Sequence, residues 1–70
     1  MSEKVILYTL PGCATSDRAR ADLRADGVDF EERNVMRKQA WFEEALRYSK
    51  YAPIILRGEE VEIGWKGAVG

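Results

Sequence analysis

Lys4-Val5-Ile6-Leu7-Tyr8-Thr9 runs through Leu10-Pro11-Gly12 into Cys13-Ala14-Thr15-Ser16, and the reading of this stretch decides the fold. Val5 to Tyr8 are apolar without interruption, which predicts a strand over 4–9 buried on both faces. Pro11-Gly12 is turn chemistry. Beyond it a helix is predicted over 15–26. Ala19 and Leu23 share one face of it, Asp17, Arg18, Arg20, Asp22 and Arg24 are mostly turned to water, and Gly27 supplies a left-handed C-cap. The chain therefore changes from strand to helix at Cys13. A cysteine at such a turn meets unpaired N–H groups and the positive end of the helix dipole, and both favour the thiolate. A lone cysteine elsewhere is usually a small buried hydrophobe. Its place on the turn makes Cys13 a candidate nucleophile, expected to be partly exposed and reactive.

Outward from this turn, 28–35 reads as a second strand. Val28 and Phe30 share a face, and Glu31, Glu32 and Arg33 imply an edge position. A second helix is predicted over 37–48, with Phe42 and Leu46, and Trp41 with Ala45 and Tyr48, on its apolar side. Pro53 opens a third strand over 53–57. Gly58-Glu59 is a hairpin turn, and 60–63 is a fourth strand with Val61 and Ile63 pointing inward. The tail, 64–70, is too short and glycine-rich for a helix. The order is β-α-β-α-β-β. Its first crossover requires parallel, right-handed pairing, and its last two strands are close enough for an antiparallel hairpin. The expected fold class is α/β: a four-stranded mixed sheet, the third strand antiparallel to the first, with helices on both faces.

Seventy residues suffice for one domain, 1–70, with a stability on the order of a few kcal/mol. The formal charge of −1 gives no long-range attraction to nucleic acid or an anionic membrane, and no apolar run spans a bilayer. One cysteine and no histidine exclude a zinc site within a single chain, and with it Cys–His or Ser–His–Asp catalysis. No metal is expected. The N-terminus lacks signal-peptide blocks, and a free cysteine suits a reducing cytoplasm.

The element order, with a cysteine after the first strand and a proline opening the third, resembles the thioredoxin superfamily. The closer likeness is to glutaredoxins, especially the small glutaredoxin-like donors of ribonucleotide reductase. It rests on Val5-Ile6-Leu7-Tyr8-Thr9, Cys13-Ala14-Thr15-Ser16, Ala52-Pro53-Ile54-Ile55 and Val61-Glu62-Ile63-Gly64, which together span nearly the whole chain. The resemblance implies a thioredoxin-like fold with Cys13 as the nucleophile and Ser16 and Thr15 supporting its thiolate. It implies a substrate groove of Pro11, Gly12, Ala52, Pro53 and Gly64. In that groove Pro53 is the family's cis-proline facing the cysteine, and the Ala52 backbone pairs with the substrate main chain.

The departures from the family pattern shape the mechanism. Many members carry a second cysteine where Ser16 stands, and a serine hydroxyl cannot resolve a mixed disulfide. A second thiol must do so, and glutathione is the co-substrate of the monothiol branch. The usual lysine before the cysteine is Leu10 here, and an acidic pair after the fourth strand is replaced by Trp65-Lys66. Lys66 or Arg37 remains to take a carboxylate. Members holding a shared iron–sulfur cluster have glycine and phenylalanine where Ala14 and Thr15 stand, so no bound cofactor is expected. The family's third helix is missing, which leaves a sheet face open to a homodimer partner. The activity implied is thiol–disulfide exchange and electron transfer with protein or small-molecule disulfides. The alternative is a non-catalytic module that uses the same groove to bind a peptide or protein. An arsenate-reductase-like reading ranks last, because the chain is too short for that family's extra segments.

Overall fold

A computed structural model describes residues 4–68. The elements are β1 Val5–Thr9, α1 Ala14–Ala25, β2 Phe30–Asn34, α2 Gln39–Leu46, β3 Ile54–Arg57 and β4 Glu60–Ile63. They form one mixed sheet in the order β2-β1-β3-β4. The β1–β2 pair is parallel, and β1–β3 and β3–β4 are antiparallel, as the element order requires. The edge position expected for the charged second strand is observed. Among the described residues no helix is long and apolar enough to cross a membrane.

The alternation of β1 assigns the two faces. Val5 and Leu7 point to the α1 side, where they meet Ala19 and Leu23 of α1, Ile55 of β3 and Trp65, with Val28 and Phe30 packed alongside. Tyr8 points to the α2 side and meets Ile54, Val35 and Ala45 of α2, with Ile6 and Leu56 at the margin. Leu7, Leu23, Ile54 and Ile55 are fully buried; each contributes roughly 1.5–3 kcal/mol by burial. Gly27, at φ +72°, lets α1 end in a Schellman motif. Its N–H donates to Arg24 C=O, the Val28 N–H donates to Leu23 C=O, and Val28 packs on the Leu23 cluster.

Several boundaries differ from those expected. α1 begins at Ala14, because Cys13 already serves as its N-cap. β2 is shortened at both ends: the Val28 N–H is committed to the helix cap, and the ladder closes after Asn34 with the Val35 N–H donating to the C=O of Thr9, the last residue of β1. Pro53 lies just ahead of β3 rather than in it. α2 spans eight residues, with Arg47 and Tyr48 in the turn that follows, and only Ala45 of it is buried. Phe42, Leu46 and Tyr48 are exposed instead of forming a core stripe.

Val61 and Ile63 are also 46 % and 44 % exposed, not inward. They pair with Leu56 and Ile54 and so share the α2 side, but α2 packs by β2, at the opposite edge of the sheet from β4. The open apolar surface therefore lies on the α2 face. On the α1 face β4 presents Glu60 and Glu62, and Trp65 covers the core. The tail folds back as a tight turn closed by Trp65 pairing with Ala68; Val69 and Gly70 of the expected tail lie outside the described residues.

Candidate functional site

Leu10 to Cys13 form a β-turn in which the Cys13 N–H donates to Leu10 C=O at 3.2 Å. Pro11 fits its second position, and Gly12, at φ +78°, supplies the left-handed conformation at the third. Pro11 and Gly12 are both exposed. The turn delivers Cys13 in extended conformation to the N-cap of α1, where its Sγ accepts from the Ser16 N–H at 3.4 Å. The Leu10 N–H in turn donates to Ser16 Oγ at 3.3 Å, so Ser16 ties the start of the turn to the start of the helix.

Cys13 is 8 % exposed, less than the sequence suggests, because the turn and the first helical turn fold around it. Its pKa is nevertheless lowered. Burial pushes the thiol up, but hydrogen bonds from the Ser16 side chain and from the Ser16 and Thr15 N–H groups outweigh it. The Asp17 carboxylate opposes the thiolate. Arg20 pairs with that carboxylate at 3.0 Å and moderates its field.

Arg20 also grips Glu32 of β2 with two bonds of 2.7 Å, and Thr9 Oγ1 donates to the same carboxylate at 2.9 Å. Helix α1, the end of β1 and the edge strand are thus clamped together beneath the Cys13 turn. Arg20 holds the Glu32 carboxyl below the usual range. Across the sheet, Arg33 bonds Glu44 at 2.7 Å and Tyr8 at 3.3 Å, which fixes α2. Arg33 also pairs with Glu31, whose carboxyl is held at about 2 by Lys4 first and then Arg33. Arg20, expected to be mostly solvated, is a structural tie, and the charges of the edge strand bind both helices.

The Ala52-Pro53 bond is cis. The β1–β3 register pairs Tyr8 with Ile54, so its next step sets Pro53 opposite Thr9, at the end of the strand that feeds the Cys13 turn. Gly64 is buried, and its N–H donates to Pro53 C=O at 2.7 Å. Ala52 and Leu10 line one cavity together. The structure thus joins Cys13, Thr15 and Ser16 in one cluster and Pro53 with Gly64 in another, both at the same end of the sheet. Lys66 pairs with Asp22 at 3.2 Å, and with Ala14, Thr15, Arg18 and Trp65 it borders a cleft beside the helix start. Arg37 lines a separate cleft with Glu32, Asn34 and Trp41. Sequence reasoning missed Tyr51, which borders the Leu10–Ala52 cavity. The signal was an aromatic residue directly ahead of Ala52-Pro53.

The family model described as glutaredoxin matches residues 5–61. Among solved structures, the chain is similar to NrdH-redoxin from Escherichia coli, a glutaredoxin-like protein with a thioredoxin-like activity profile. The two are 27 % identical with a TM-score of 0.76, covering 87 % of this chain and 82 % of that one. It is also similar to glutaredoxin (grx-1) from Archaeoglobus fulgidus, at 23 % identity and a TM-score of 0.77, over 90 % of this chain and 76 % of that one. No curated protein matches it in sequence. The fold is the expected thioredoxin-like α/β arrangement.

Proposed function

The chain belongs to the glutaredoxin family, and from that premise we propose that Cys13 is the single nucleophile of a thiol–disulfide oxidoreductase. Family membership supports thiol–disulfide chemistry in general. The observation that carries the finer reading is the Cys13 sulfur at the helix start, accepting from the Ser16 N–H with its pKa lowered. The thiolate attacks one sulfur of a disulfide, forms a mixed disulfide and releases the other half as a thiolate. Ser16 cannot displace that adduct. A second thiol from outside the chain attacks the adduct sulfur, returns Cys13 as the thiolate and leaves as a new disulfide.

Pro11, Gly12, Ala52, Pro53 and Gly64 border the substrate in this reading, and the Ala52 backbone pairs with its main chain. Glutathione serves as the second thiol, with Lys66 or Arg37 as the cation for one of its carboxylates. No metal or bound cofactor takes part, and electrons pass to disulfide partners in a reducing compartment.

The deep placement of Cys13 favours a second reading, a module that binds a partner without chemistry. One experiment separates the two. Reduced protein is mixed with a glutathionylated peptide and quenched with acid, and adducts are weighed by mass spectrometry. The oxidoreductase gives a mixed disulfide at Cys13 that added glutathione removes, and Cys13→Ser gives none. A chain that binds the peptide and forms no adduct is the module.

A further inference from the structure

A cavity on the α2 side of the sheet is not used by the chemistry at Cys13. Its floor is Tyr8 and Ile54, and its rim is Leu10, Phe42, Leu46 and Tyr51, all four exposed. It holds about 70 Å³, whereas a single water needs only ~10–15 Å³ by the same kind of measure. Four large apolar side chains around one opening form the sort of patch that marks a binding surface. Among the described residues of its lining, Lys50 is the one with a charged side chain.

The position of this cavity bears on what it could hold. Leu10 begins the Cys13 turn, and Ala52, in the cavity wall, precedes Pro53. The cavity therefore opens directly beside the groove proposed for the substrate main chain. A chain lying in that groove, with one of its cysteines at Cys13, passes the opening within a few residues. Glutathione offers carboxylates and no large apolar side chain. A polypeptide can offer one.

We propose that this cavity is a specificity pocket for one large apolar side chain, of the leucine or phenylalanine class, flanking the disulfide of a polypeptide substrate. The proposal rests on the thiol–disulfide reading above and narrows its substrate class. Cys13 Sγ bonds to the peptide's sulfur, the peptide's disulfide breaks, and its other half leaves as a thiolate. The pocket holds the neighbouring side chain while this exchange takes place.

The test uses reduced full-length chain and a set of short peptide disulfides that differ in one residue, leucine, phenylalanine or serine, on either side of the cysteine. Single-turnover rates of Cys13 adduct formation are measured by mass spectrometry. The best apolar peptide is expected to react about tenfold faster than its serine counterpart, the usual scale for filling an apolar pocket. Leu46→Asp is expected to reduce that preference below about twofold, leaving the serine-peptide rate and alkylation by iodoacetamide unchanged. Leu46 is exposed, so the change leaves the core intact; Phe42→Ser, one turn earlier on α2, is the second variant. Equal rates for all peptides, or a preference that survives both variants, overturn the pocket but not the oxidoreductase. A dimer in sedimentation that Leu46→Asp abolishes, with peptide rates unaltered, assigns the cavity to a second copy and overturns it too. A chain that forms no adduct with any disulfide overturns the thiol–disulfide reading, and the pocket proposal with it.

Discussion

The Ser16 N–H meets the Cys13 sulfur at 3.4 Å while the Ser16 hydroxyl holds the Leu10 N–H at 3.3 Å. One buried side chain thus closes the loop around the cysteine and favours its anion. Alkylation of Cys13 by iodoacetamide should therefore have its pH midpoint below the free-thiol value of about 8.5. Ser16→Ala keeps the N–H but removes the hydroxyl, so the midpoint should move up and alkylation at neutral pH should slow. The variant should also lose about 1–2 kcal/mol, because the Leu10 N–H loses its partner. The linkage sign follows from the lowered pKa. Between the folded and unfolded thiol pKa values the unfolded chain binds the extra proton, so stability from this group rises with pH there. It is fully present above the unfolded value and lost as pH falls through the folded one.

Ser16→Cys should create a dithiol. The position lies on the first turn of α1, with its backbone already against Cys13 Sγ. After mild oxidation both thiols should vanish in a thiol titration, and the reduced variant should reduce one equivalent of a peptide disulfide to two thiols with no added thiol, ending with a disulfide between Cys13 and the introduced sulfur. The native chain under the same conditions should stop at the mixed disulfide, since only a thiolate can resolve it.

Glu32→Gln should loosen the clamp below the site. The carboxylate takes two bonds from Arg20 and one from Thr9, and its side chain is 26 % exposed. The loss should be about 1–2 kcal/mol, allowing for solvent screening of a partly exposed pair. Arg20 holds the Glu32 carboxyl down, so its contribution is complete above the ordinary value of ~4.3 and is lost as pH falls through the folded value. Urea midpoints measured from neutral to acid pH should show the native chain losing more stability on acidification than Glu32→Gln.

The sheet order, both helices and the Cys13 turn were legible because each rests on local signals: an apolar run, Pro-Gly, a helical face ending in Gly27, and a proline ahead of an apolar triplet. What could not be read was which apolar side chains find cover. Phe42 and Leu46 have the spacing of a core stripe, and Val61 and Ile63 have strand alternation. Burial depends on whether another element reaches them, and α2 packs by β2, at the far edge of the sheet from β4. The same limit applied to charge. Glu32 and Arg20 belong to a solvated edge and a solvated helix face by pattern, and only the packing of α1 against β2 joins them. Cys13 was correctly placed on its turn, but its depth depends on Ser16 folding back to Leu10, a contact with no sequence period.

Trp65 should be the most sensitive core position outside the sheet. It is 7 % exposed, packs with Val5, Leu7, Leu23 and Ile55, and donates its Nε1–H to Asp22 at 2.7 Å. Its backbone is anchored by paired bonds with Ala68 of 2.8 and 3.0 Å. It thus covers the α1-side core from beyond β4. Trp65→Ala should cost about 3–5 kcal/mol, comparable to the whole stability of a domain this small. Thermal melts followed by circular dichroism should find that variant largely unfolded at room temperature. Trp65→Phe keeps most of the packing and loses only the bond to Asp22, so it should fold and melt at a modestly lower temperature. A Trp65→Ala variant that melts like the native chain would mean that the α1-side core is closed by β1, β3 and α1 alone.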